Sequence, residues 1–124
     1  MSYKMSSLYA LAHGHAVALC LPHVWAYMVG HLGNCRDSRG VEYLRDVFGE
    51  LAGLFLATDS LEAARAVQNM TRSLGLLPPE DYAPGDVALL ARSVNLERLG
   101  NNPVDLGQQT LASLYRDILQ GRAI

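Results

Sequence analysis

The side chains best suited to chemistry in this sequence are three histidines that lie close together, His13, His15 and His23. The pair His13-Gly14 comes directly before a long apolar run, and His15 follows two residues after His13. An imidazole at the mouth of an apolar helix can bind a metal ion while the rest of the helix is buried. Metal binding is therefore the first chemistry that this segment suggests.

The local sequence does not supply a complete metal site. Such a site needs three or four ligands, and residues 1–34 contain no aspartate or glutamate. Two histidines at positions i and i+2 point to different sides of a helix, so His13 and His15 rarely bind one ion from within it. On the residues alone, a capping or packing role for these histidines is the more frequent outcome, and both interpretations stay open.

Other polar residues near this segment have ordinary structural explanations. His23 follows Pro22 and can satisfy carbonyl groups that the proline leaves free, so we expect it to pack between helices. His31 lies in a glycine-flanked turn and is expected at the surface. Lys4 is the only lysine of the chain, and with Tyr3 it is expected in a solvated first turn of helix.

Composition excludes several classes of protein. Half of the residues (50%) are hydrophobic and 18% are charged, which predicts a folded, well-buried domain. The net charge is -2 without a basic block, so we expect no nucleic-acid binding. The apolar run over residues 16–30 is interrupted by Pro22 and His23 and is too short to span a membrane, so it predicts a core helix. Two unpaired cysteines, Cys20 and Cys35, and no visible signal peptide predict a cytoplasmic protein.

The hydrophobic periodicity predicts an all-α fold, an antiparallel helical bundle or array. The predicted helices cover about residues 1–11, 14–29, 38–57, 60–74, 87–93 and 108–120, with a short turn over 95–100. Asp37, Asp59 and Asp86 are predicted helix caps, and Glu62 has the spacing of a capping box with Asp59. No dinucleotide-binding motif, phosphate-binding loop or catalytic triad is present.

Several segments together resemble one enzyme family. Residues 12–24, AHGHAVALCLPHV, resemble the "PHG…A…LLPHV" signature of the iron-dependent (group III) alcohol dehydrogenases. Residues 37–40 with 43–44 resemble its "DPRG…YL" element, residues 93–95 with 101–103 its "N…NNP" loop, and residues 114–115 its terminal "LY" helix. Residues 1–4, 7–9 and 13–16 look most like the phosphonoacetaldehyde reductase branch of this family.

This resemblance implies an oxidoreductase. Members have an N-terminal nucleotide-binding domain and a C-terminal, dehydroquinate synthase-like helical domain, with Fe(II) or Zn bound by one Asp and three His in the cleft between them. The last of these histidines matches His13. By the same resemblance, Tyr3, Lys4 and His15 are expected in the substrate and cofactor cleft, with NAD(P)H as the reductant. Lys4 is expected to attract the phosphonate of an aldehyde substrate.

The sequence departs from the family pattern at Ala12 and Ser38, where relatives have proline, and at Tyr3, where many have histidine. The other metal ligands and the nucleotide-binding domain of the family lie upstream of the segment that matches residues 1–124. We therefore expect part of the helical domain, inactive by itself and without a stable metal site. Its expected partner is the missing N-terminal domain or a complementary chain, and a homodimer is left open. The alternatives are a non-catalytic helical interaction module, with residues 1–11 folded over the core, and one half of a split enzyme.

Overall fold

The computed structural model describes all 124 residues and consists of helices and connecting loops. The helices are α1 (Ser2–Leu8), α2 (His13–Gly30), α3 (Gly40–Leu54), α4 (Ser60–Ser73), α5 (Asp86–Arg92), α6 (Leu96–Leu99) and α7 (Gln108–Leu119), with a 3-10 turn at Leu32–Asn34. The one β-type pairing is an isolated bridge between Cys35 and Val104. The predicted all-α class is confirmed.

The central element is α2, which packs against α1, α4 and α7. Apolar residues occupy all of its sides, as expected of a helix surrounded by others. One hydrophobic cluster forms around its first half and includes Met5, Leu111 and Tyr115. The second forms around its last half, where Trp25 packs against Phe48 of α3. No helix has the length and apolar character required to cross a membrane.

At the start of the chain the helix boundaries differ from the predicted ones, and this difference sets the position of His13. The first helix ends at Leu8 rather than at residue 11, and Ala10 has a positive φ of 51° that a helix cannot include. Ala12 then caps α2, so His13 is the first residue of that helix. Met5 is fully buried, and the Tyr115 hydroxyl donates a hydrogen bond of 2.7 Å to the Met1 carbonyl. These contacts fix α1 on the core.

The predicted third helix is too long at both ends. Arg39, not Asp37, is at the N-cap of α3. The Asp37 carboxylate instead accepts hydrogen bonds from the backbone N–H and the guanidinium of Arg39, which lowers the pKa of Asp37 to about 2. At the other end, Leu56 has a φ of 53°, which ends the helix. Helical spacing predicts Leu54 in the apolar stripe of this helix, but the residue is 79% exposed, so that prediction is wrong.

The predicted capping of α4 is confirmed, with one difference in detail. The Asp59 carboxylate accepts a hydrogen bond of 2.8 Å from the Glu62 backbone N–H. Glu62 closes the motif on the Thr58 backbone N–H rather than on that of Asp59. Helical spacing predicts one apolar face that includes Ala64, Val67, Met70 and Leu74, but Met70 and Leu74 are exposed, so the buried face is rotated from the predicted one. The buried residues of α4 are Ala63, Ala64, Val67, Gln68 and Thr71.

In the last third of the chain, the structure differs from two of the predictions and confirms a third. Asp86 is the first residue of α5 rather than its cap, and its carboxylate accepts hydrogen bonds from the Ala83 N–H and the Tyr9 hydroxyl. The segment predicted as a turn contains α6, which Asn95 caps through the Arg98 backbone N–H. Helical spacing predicts an inward face on the last helix, and this is confirmed because all its members are buried in α7: Leu111, Leu114, Tyr115 and Ile118.

Candidate functional site

A cavity of about 620 Å³ lies where α1, the first half of α2 and the segment around α6 meet. Its lining residues are Met1, Ser2, Tyr3, Lys4, Val17, Cys20, Leu21, Val24, Ser93, Val94, Asn95, Arg98, Leu99, Asn101, Asn102, Pro103 and Leu106. Lys4 and Arg98 are the charged side chains of this lining, which contains no aspartate or glutamate. The cavity therefore combines apolar walls with two positively charged side chains and several small polar groups.

Tyr3 connects the cavity with the start of α2. Its ring lies 4.9 Å from the His13 ring, centroid to centroid, with a tilt of 34°. The guanidinium carbon of Arg98 lies 5.2 Å from the centroid of the same ring. The first turn of α1, the first residue of α2 and the end of α6 thus place an imidazole, a phenol and a guanidinium together.

His13 is exposed rather than sealed in the core. Its position at the first residue of α2 places the imidazole at the open end of the helix, against Tyr3. The His15 side chain lies away from the cavity, and its Nε2 is 2.8 Å from the Leu77 carbonyl oxygen. The two histidines are therefore not brought together, as their i, i+2 spacing suggested.

The remaining histidines have the structural positions predicted for them. His23 is buried, and its Nε2 lies 3.2 Å from the Gln68 amide nitrogen, which also donates to the Arg122 carbonyl. Because that amide is a donor, the His23 Nε2 must accept, and the ring is neutral. Burial lowers the pKa of His23, in keeping with this arrangement. His31 is exposed and stacks on Tyr27 with ring centroids 4.0 Å apart.

The residues of this chain do not form a metal centre by themselves. No group of three or more histidine, cysteine, aspartate or glutamate side chains lies close enough together to hold an ion. Cys20 lines the cavity, but burial raises the pKa of its thiol to about 11, and the thiol donates to the Met5 sulfur at 3.5 Å. A neutral, buried thiol is neither a metal ligand nor a nucleophile at neutral pH.

The sequence singled out Tyr3 and Lys4 near His13, and both line the cavity, but it did not single out Arg98, which lies there too. The segment over 95–100 was interpreted as a plain turn, so its side chains received no role. A usable signal was present, because Asn95 is a good helix N-cap three residues before Arg98. That spacing predicts a helical turn, although only the packing of α6 near α1 places Arg98 beside Tyr3.

A search of known proteins finds a distant relative of this chain. No protein-family model matches this chain, and no solved structure does. The phosphonoacetaldehyde reductase of Streptomyces viridochromogenes is 31% identical over 117 residues, which is 92% of this chain and 29% of that protein. The chain therefore spans less than a third of the length of the relative that it matches. This similarity indicates a distant relationship to a reductase.

Proposed function

We propose that this chain forms part of the helical domain of an NAD(P)-dependent aldehyde reductase that acts on phosphonoacetaldehyde. The proposal depends chiefly on one observation, the 31% identity with a phosphonoacetaldehyde reductase along 92% of the chain. The reaction would transfer a hydride from NAD(P)H to the aldehyde carbon, with a proton added to the oxygen. In this proposal the exposed His13, which contacts Tyr3 beside a cavity of about 620 Å³, faces the cleft in which the aldehyde and NAD(P)H bind.

In this proposal each site residue has a limited role. His13 is one ligand of an iron or zinc ion whose other ligands lie on another polypeptide segment, because this chain has no further ligand group nearby. Tyr3 supports the His13 ring, and Lys4 attracts the anionic end of the substrate. His15 is bonded to Leu77 and serves to hold the 76–85 loop against α2.

The direct test is a graft. The 124 residues replace the matching segment of the Streptomyces viridochromogenes reductase, and oxidation of NAD(P)H is followed with phosphonoacetaldehyde present or absent. We expect aldehyde-dependent oxidation, because the grafted segment would bring the His13 surface to the rest of the enzyme. A soluble graft with helical circular dichroism but no such oxidation would contradict the proposal.

A second candidate is a non-catalytic helical interaction module. The observation that favours it is the docking of α1, in which Met5 is fully buried and Tyr115 bonds to the Met1 carbonyl. The module predicts that the chain is a stable monomer by sedimentation and that the graft is inactive. A split enzyme instead predicts aldehyde reduction when the chain is co-expressed with a separate nucleotide-binding half.

A further inference from the structure

The two cations of the cavity have no acidic partner. The four salt bridges of the structure involve Arg36, Arg39, Arg45 and Arg122, so neither Lys4 nor Arg98 takes part in one. The cavity lining contains no carboxylate either. Positive charges that face a partly apolar cavity without counter-charges favour an anionic ligand there.

Arg98 is positioned for recognition by two contacts. The Asn95 side chain accepts a hydrogen bond of 2.8 Å from the Arg98 backbone N–H, which fixes the single turn of α6. The guanidinium then lies over the Tyr3 ring. A guanidinium stacked on an aromatic face keeps the N–H groups at its edge free, and these match two oxygens of a tetrahedral oxyanion.

We propose that Arg98, together with Lys4, binds the phosphonate group of the substrate and sets the preference for an anionic aldehyde. This assignment rests on the proposed function for the identity of the aldehyde. The apolar residues of the lining, among them Val17, Leu21 and Val24, contact the carbon chain of the ligand. Tyr3 is a positioning residue whose ring contacts both the Arg98 guanidinium and the His13 imidazole.

The phosphate of NADP has the same tetrahedral oxyanion chemistry, so the first experiment compares the two sources. The 124-residue chain is titrated with methylphosphonate and, separately, with adenosine 2′-phosphate, and binding is followed by NMR chemical shifts. We expect saturable binding of methylphosphonate that Arg98→Gln weakens about tenfold or more, because a charge-assisted hydrogen-bonded pair is lost. Arg116→Gln is the matched control, since Arg116 is exposed on α7 and does not line the cavity.

Each outcome of the titration decides the assignment. Saturable binding of methylphosphonate that depends on Arg98 supports it. It is overturned if methylphosphonate shows no saturable binding, if Arg98→Gln and Arg116→Gln bind it equally well, or if only adenosine 2′-phosphate binds.

A second experiment separates this assignment from the proposed function. In the graft, Arg98→Gln is expected to raise the ratio of KM for phosphonoacetaldehyde to KM for acetaldehyde about tenfold. Arg116→Gln is expected to leave the ratio unchanged. An active graft whose ratio does not respond to Arg98→Gln overturns the phosphonate assignment while the reductase proposal stands. If the graft is inactive, the proposed function fails and the titration still decides anion binding.

Discussion

At the scale of single residues, the sequence indicated which side chains stand out but not which of them are neighbours. Lys4 was conspicuous as the only lysine, and it lines the cavity. Arg98 was not conspicuous, because no local pattern shows that it meets the ring of Tyr3, 95 positions earlier in the chain. His13 and Tyr3 are ten positions apart and meet because the chain reverses at Ala10. Ala10 has a positive φ, and alanine, unlike glycine, does not predict such a conformation.

His23 is the residue for which the structure predicts a pH effect. Burial lowers its pKa below the ordinary value of 6.5, with Arg72 lowering it further and Asp117 opposing the shift. Below that pH the unfolded chain binds a proton that the folded chain does not. The free energy of unfolding should therefore fall as the pH falls through 6.5 and below.

The measurement is urea denaturation at about pH 7 and about pH 5, on the wild type and on His23→Gln. We expect the wild type to lose more stability than His23→Gln between the two values. His31→Gln is the control, because His31 is exposed and should leave the wild-type pH dependence in place. An identical loss in the wild type and in His23→Gln would disprove the assignment.

At the scale of elements, helix starts with a side-chain cap were easier to predict than helix ends. The cap at Asp59 was predictable because its carboxylate accepts a hydrogen bond from the backbone of Glu62, only three residues later in the sequence. The end of α3 was missed because it depends on Leu56, a residue type that seldom adopts positive φ. Gly75, by contrast, has a φ of 73°, and because glycine is the residue type that most often follows a helix end, it predicts the end of α4 to within one residue.

The cap at Asp59 gives a prediction for α4. Asp59→Ala should lower the free energy of unfolding by about 1 kcal/mol, because the Glu62 backbone N–H loses its acceptor. Thermal unfolding followed by circular dichroism measures the change. Asp46→Ala is the matched control on the exposed side of α3, and it should cost less than Asp59→Ala. Equal costs for the two variants would show that the cap contributes nothing.

At the scale of the whole molecule, the all-α class followed from periodicity, whereas the placement of the two clusters did not. The apolar character of α2 indicated burial, and its neighbours in the structure are α1, α4 and α7. Which helix covers which half depends on long-range packing that a single sequence does not encode in any local pattern. The cavity is likewise a property of three distant segments.

The packing of the core predicts that two leucine-to-alanine substitutions lower the free energy of unfolding by very different amounts. Leu111 is fully buried in the first cluster, whereas Leu54 is 79% exposed at the end of α3. Leu111→Ala should cost about 2–5 kcal/mol of unfolding free energy by leaving a cavity, and Leu54→Ala less than about 0.5 kcal/mol. Denaturant titration of both variants measures these losses of unfolding free energy. Comparable losses would contradict the burial of Leu111 in the first cluster.

The proposed function requires that His13 presents its imidazole to the active site of a reductase. The most direct measurement is kcat/KM for phosphonoacetaldehyde in the graft, with bound iron and zinc determined on the same samples. His13→Ala should lower kcat/KM by about a hundredfold or more and reduce the bound metal, while His31→Ala, an exposed histidine bonded to the Tyr27 carbonyl, should change neither. If His13→Ala grafts reduce the aldehyde as well and hold as much metal as His31→Ala grafts, the account is contradicted.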